Sequence, residues 1–189
     1  MTVALITPPA AEPLSLEEVK SYLRIDHDHE DELLLETLKA ARQYTEFASS
    51  QKLITQLWRQ YETRFPGDRV IEARVSPVIS VEAVTLFARD GTPTVLSSDQ
   101  VSLMRGHDPE VIVIDEHIDA ALAGNGLEID LICGMGDLGV DVPDTLKRAI
   151  LMLLAHWYEF RGAVAPGDQP VSLPPGFETL MLPFRRVHL

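Results

Sequence analysis

The hydrophobic period changes twice along this chain, and that change limits its fold more than any other feature. Toward both ends apolar residues recur every three or four positions; between Leu53 and Cys133 they fall into short runs cut by turn residues. In the first helical stretch, Ser15-Leu16-Glu17-Glu18 has the capping-box pattern, with Leu16, Val19 and Leu23 forming one stripe. It predicts a helix over about 15–24. Leu34, Leu38, Ala41, Thr45 and Ala48 predict a longer helix over 31–49, with acids at its start where the helix dipole favours them. The third stripe, Leu146, Ile150, Leu153, Trp157 and Phe160, opens at Pro143 and stops at Gly162, predicting a helix over 143–161.

The middle reads differently. Leu57–Phe65, Val70–Val75, Val81–Ala88 and Val111–Ile114 are β-prone runs ended by Pro66-Gly67-Asp68, Pro77 or Asp90-Gly91, the last a hairpin signal. Leu127 to Leu131 alternates apolar and acidic, as a half-buried strand does. No convincing helix separates these runs, so the pairing is expected to be antiparallel. The fold class is therefore α+β: a small helical core of three main helices with an antiparallel β insertion at about 53–133. Residues 1–13 read as an extended arm. Residues 162–189 read as a proline-rich linker (Pro166, Pro170, Pro174, Pro175) and a C-terminal tail.

Charge and cysteine content narrow the function. Sixteen Lys and Arg against 29 Asp and Glu leave a net charge of −13. Ten of those acids lie between Gly106 and Leu146 with no base among them, and Asp26–Glu36 holds six more. Tight nucleic-acid binding needs clustered cations, and this chain has no such cluster. One cysteine, Cys133, excludes an internal disulfide and a four-cysteine zinc site. The start of the chain lacks a basic signal-peptide region. The longest apolar run, Ala149–Ala155, is seven residues, against the ~20 that cross a bilayer. No membrane partner is expected.

Three motifs invite a chemical reading. Gly134-Met135-Gly136-Asp137-Leu138-Gly139 matches G-x-G-x-x-G after a predicted strand, but the next helix begins only at Pro143 and no βαβ unit surrounds it. A strand-to-helix turn is the preferred reading. Asp26-His27-Asp28-His29-Glu30-Asp31 matches neither a His-Glu-x-x-His site nor a calcium loop, and reads as an acidic helix start. His156 reads as a half-buried histidine of the third helix, and Cys133 as an inert strand-end thiol. No nucleophile, base and orienter assemble. No catalytic residue, cofactor or metal site is expected.

The order of these pieces resembles the head-to-tail connector, or adaptor, family of long-tailed phages and gene transfer agents. Leu14 to Arg24 followed by Asp26–Asp31 is similar to that family's opening helix and acidic step, and Ala40-Ala41-Arg42 to Glu46-Phe47 to its second helix. Pro77-Val78-Ile79-Ser80-Val81 resembles the proline-led start of its hairpin. Gly134-Met135-Gly136 with Val142-Pro143, Ala149-Ile150-Leu151 and Trp157 to Arg161 resembles its last strand and final helix. Leu182-Pro183-Phe184-Arg185-Arg186 is similar to its recurrent chain end.

The resemblance implies a non-catalytic virion protein: a ring, commonly of twelve subunits, bound beneath the portal. Such a ring continues the DNA channel and offers a platform to a tail-completion or stopper protein. An acidic wall would let DNA pass without sticking. The C-terminal tail then carries the expected portal contacts, at Phe177, Leu180, Leu182, Phe184, Arg185 and Arg186. A second reading of that tail folds it back onto its own core. Two other functions stand beside the connector: a small acidic metal- or nucleotide-dependent enzyme using Asp26–Asp31 or the glycine turn, and a regulatory module using the tail as a peptide ligand.

Overall fold

The computed structural model describes residues 2–160 and 173–185. The chain divides into two compact units, a β unit of residues 1–10 and 55–135 and a helical unit of residues 11–54 and 136–189. The α+β class and the antiparallel pairing are as expected from the sequence.

The helical unit is built from α1 (Leu16–Leu23), α2 (Asp31–Ser49), α3 (Asp144–Glu159) and a short α4 (Phe177–Met181). The capping box forms: the Glu18 amide donates to Ser15 Oγ at 3.2 Å, and the Ser15 amide to the Glu18 carboxylate at 2.7 Å. These bonds satisfy two amides that a helix start leaves without partners. Leu34, Leu38, Ala41 and Thr45 of α2 are buried, as are Leu146, Ala149, Ile150, Leu153 and Leu154 of α3. The two helices pack along these stripes. Pro143 stands one position earlier than expected, as the N-cap, because its ψ of 136° is extended and not helical.

One feature of this core is polar. Arg42, almost fully buried, donates to Glu12 at 2.6 Å and pairs with Glu46 at 3.2 Å. Glu46 also accepts the Leu53 amide at 3.1 Å. Burial alone would make the Arg42 guanidinium easier to deprotonate; the two carboxylates outweigh that and raise its pKa.

The β unit holds β1 (Thr2–Thr7), β2 (Gln56–Glu62), β3 (Val70–Glu72), β4 (Val78–Phe87), β5 (Pro93–Val95), β6 (Val101–Met104), β7 (Val111–Ile114) and β8 (Leu127–Cys133). They form a five-stranded sheet in the order β1-β2-β8-β4-β5 and a three-stranded sheet in the order β3-β7-β6. Ile71, Val84, Leu86, Ile112, Ile114, Ile129 and Leu131 belong to one shared core. On the other face of β8, Glu128 and Asp130 alternate with that core and pair with Arg59 of β2 at 2.9 and 2.7 Å. That pairing, Asp130 first, holds the Arg59 guanidinium firmly protonated.

The residues expected to form a free arm differ. Thr2–Thr7 is extended, but it is an edge strand bonded to β2, with Val3 packed against the sheet core. Its backbone groups find partners that a solvated arm would leave to water. The hairpin at Asp90-Gly91 joins β4 to β5, with Gly91 at φ 85°, a conformation that glycine adopts without strain.

Candidate interaction surfaces

Two surfaces of the helical unit and two side-chain clusters bear on function, and one of the surfaces was not singled out in the sequence. The C-terminal segment comes first. Gly176 takes φ 91°, which turns the chain into α4, and a 3-10 turn follows at Leu182–Phe184. Phe177 and Met181 are wholly buried, four residues apart on one face of this turn of helix. The Phe177 ring lies 5.8 Å from that of Tyr44, which meets Trp157 edge-on at 6.0 Å. Residues 177–184 thus fold back on α2 and α3 and are not an extended tail.

The expected portal residues therefore separate by position. Phe177 faces the core, and Leu180 and Phe184 are half-buried. Leu182 is 62% exposed, and Arg185 is exposed, 3.4 Å from Glu178. Arg186 lies outside the described residues, as do Gly162 and most of the expected linker.

A second surface was not foreseen. Pro13, Leu16, Leu35, Leu138 and Val140 line an open groove of about 610 Å³, with Glu12, Glu18 and Lys147 on its walls. Leu35, Leu138 and Val140 are 46%, 59% and 80% exposed. The groove owes its floor to the glycine turn. A Cβ on Gly139 would sit 2.3 Å from the Pro13 carbonyl oxygen, so only glycine lets the turn lie against the segment before α1. One signal was available: Leu33-Leu34-Leu35 lie at ~100° steps on a helix, so the three cannot all face one core.

The glycine turn has its own structural use. Gly136 faces Asp141, whose Oδ2 would stand 2.3 Å from an added Cβ and accepts the Leu138 amide at 3.0 Å. A carboxylate therefore occupies the concave side of the turn, where a dinucleotide would need its phosphates.

The Asp26–Asp31 cluster is tied into its own unit. Lys20 Nζ donates to Asp28 at 2.5 Å and to Asp31 at 2.8 Å. That ammonium holds the Asp28 carboxyl below its usual range. The Tyr158 hydroxyl donates to Glu30, and the His27 and His29 rings stack 4.9 Å apart. Among the described residues, no group of three or more His, Cys, Asp and Glu gathers in a metal-holding arrangement. His156 lies edge-on to Phe160 at 5.0 Å, and the Cys133 thiol is buried. No described helix is long and apolar enough to cross a membrane.

The described residues thus form an α+β protein whose helical unit exposes apolar side chains at Leu35, Leu138, Val140 and Leu182. Residues 13–90 match the family model described as phage gp6-like head-tail connector protein, so the resemblance read in the sequence holds over that stretch. No curated protein matches the chain. Among solved structures, the chain is similar to one from the virion of a native gene transfer agent particle. The TM-score is 0.81 at 23% identity, covering all of this chain and 97% of that one. It is also similar, over the same shares, to chains from the neck of that particle type. One is from an empty particle computed with C6 symmetry (TM-score 0.78, 24% identity), another from a native particle computed with C12 symmetry (0.74, 24%).

Proposed function

We propose that this chain is a structural head–tail connector, a non-catalytic virion neck protein that forms a ring and joins a DNA-filled head to its tail. The observation that carries this reading is the connector-family match at 13–90, on a chain whose whole length shares its fold with a neck protein. The cyclic symmetry of those necks favours a ring of copies of this chain, twelve being the favoured number. A net charge of −13 suits a channel through which DNA slides without being held.

In this reading the portal lies on one side of the ring and a tail-completion or stopper protein on the other. The portal contact is carried by the outward part of the C-terminal segment, Leu182, Phe184 and Arg185, with Arg186 beyond them. Phe177 and Met181 serve as the anchor that presents it. The anchor and the contact are separable by point substitution, since Phe177 and Met181 are buried while Leu182 and Arg185 are exposed.

The test is electron microscopy of particles from a strain lacking this reading frame, beside a complemented control. Heads and tails that accumulate apart and rejoin on complementation are the expected result. Normal tailed particles without the protein would refute the connector role.

A further inference from the structure

We infer that the ring is closed by a head-to-tail contact between helical units, in which Phe47 of one copy enters the Leu35–Leu138–Val140 groove of the next. The inference rests on the ring-forming connector reading and names the surface by which such a ring would assemble.

The two halves of the contact are both on the page. Phe47 is 80% exposed, an unusual position for a phenyl ring, and the Tyr44 ring lies tilted to it with centroids 6.4 Å apart. The groove exposes three aliphatic side chains around a space of about 610 Å³. Leu35 and Phe47 are twelve positions apart on α2, so they stand ~18 Å apart along the helix and ~120° apart around it. A knob and a groove on different faces can meet reciprocally about a two-fold axis or head to tail around a ring. The cyclic symmetry of the similar necks favours the head-to-tail contact, which closes when its rotation allows.

Charge follows the same division. The first half of α2 carries Asp31, Glu32 and Glu36, and the groove beside it carries Glu18, with Asp137 next to Leu138. From Leu38 to Lys52 the one acid, Glu46, is buried with Arg42; Lys39 is exposed, and Lys52 is half-buried with its Nζ 3.9 Å from Glu46. Each copy therefore offers an apolar knob on the half of α2 whose exposed charge is Lys39, and an apolar groove whose walls carry Glu12 and Glu18 against one cation, Lys147. A second copy is the occupant that satisfies both. Opposite charge orients the approach, while the phenyl ring supplies the desolvated centre that interfaces use as an anchor.

The experiment uses particles from a strain whose copy of the protein carries Phe47→Cys and Val140→Cys together, treated with a short bismaleimide and run on a denaturing gel. Native Cys133 is buried and stays silent, as the unsubstituted chain shows in parallel. A ladder of covalent multimers of this chain is expected, with neither single variant giving one. Cross-linked dimers with no higher multimers from the double variant would mean a reciprocal two-fold contact and overturn the inference, as would dimers from Phe47→Cys by itself. So would cross-links only to a protein of another mass, or a single band from a chain that is present in the necks. If the unsubstituted chain is absent from the necks, the connector reading itself fails and takes this inference with it.

Should the double variant not assemble, Phe47→Glu and Val140→Glu decide. Both positions are solvent-facing, so each purified variant is expected to melt like the unsubstituted protein while losing its place in particles. Val95→Glu, an exposed apolar position in the β unit, is expected to keep it. Normal incorporation of both groove and knob variants would overturn the inference.

Discussion

Replacing Phe177 by alanine asks whether the C-terminal segment is part of the core or a free peptide. The phenyl ring has no exposed surface and stands 5.8 Å from Tyr44, in the aromatic group that also holds Trp157. Buried Phe→Ala changes cost ~3–5 kcal/mol, counting lost transfer energy and the cavity left behind. The position adds a ceiling. A terminal segment can leave its seat without the rest unfolding, so the measured loss cannot exceed the free energy with which α4 docks. With a urea slope of ~2 kcal/mol/M, a loss of ~4 kcal/mol lowers the unfolding midpoint by ~2 M. Trp157 fluorescence, in a Trp58→Phe background, reports this transition for the helical unit alone. Leu182→Ala, at an exposed position, should stay within ~0.5 kcal/mol of the parent. A Phe177→Ala shift that small, with unchanged Trp157 emission, would refute the seating of α4. The result also governs how truncation is read. A chain cut after Gly162 loses a core plug together with the proposed portal contact, so lost portal binding would not identify the contact. Leu182→Ser and Arg185→Glu separate the two effects.

Three other perturbations test the polar and glycine features. Arg42→Ala strands Glu46 in the helical core, and unfolding free energy should fall by ~3–5 kcal/mol; Arg42→Met combined with Glu46→Leu should recover most of it by denaturant titration. Gly136→Ala drives a Cβ into Asp141 and should cost ~1–3 kcal/mol in the same assay, without any dinucleotide to stabilise the parent protein. The Asp28 carboxyl is depressed in the folded protein by Lys20, so its contribution is present above the ordinary value of 3.8 and lost as pH falls through the lowered one. Lys20→Met should therefore show a shallower fall in melting temperature between about pH 5 and pH 2 than the parent; parallel curves would refute the pairing.

The long elements were legible because a single period governs each of them. Leu34, Leu38, Ala41 and Thr45 repeat over about three turns, and α2 runs over Asp31–Ser49, the span predicted for it. Leu127 to Leu131 alternates without a break, and β8 (Leu127–Cys133) alternates buried and half-buried in step. The short elements escaped for the converse reason. β5 has three residues beginning with Pro93, and β6 has four directly after a 3-10 turn, too few to establish a period of two. β1 escaped because Ala4 and Ile6 are apolar alongside Val3 and Leu5. Apolar residues on both faces erase the alternation that marks a half-buried strand, and only pairing with β2 defines Thr2–Thr7.

The acidic composition was legible, but its use was not, because charge counts carry no geometry. Of the ten acids between Gly106 and Leu146, most do local structural work. Glu110 is buried and accepts from Ser76; Glu128 and Asp130 hold Arg59; Asp119 caps the 3-10 turn that follows it. Asp141 shapes the glycine turn, and Asp144 pairs with Lys147. A run that reads as one acidic wall is thus dispersed over strands, turns and a helix start in two units. Pairing of this kind does not remove the excess negative charge. It fixes where individual carboxylates point while leaving the field of the whole chain negative, and that field, with no single acidic face required, is what a passing polyanion would meet. The contact residues lie elsewhere, in apolar side chains such as Phe47 and Val140 that no charge count distinguishes, and whose exposure follows only from knowing which side of each helix and turn the core has already taken.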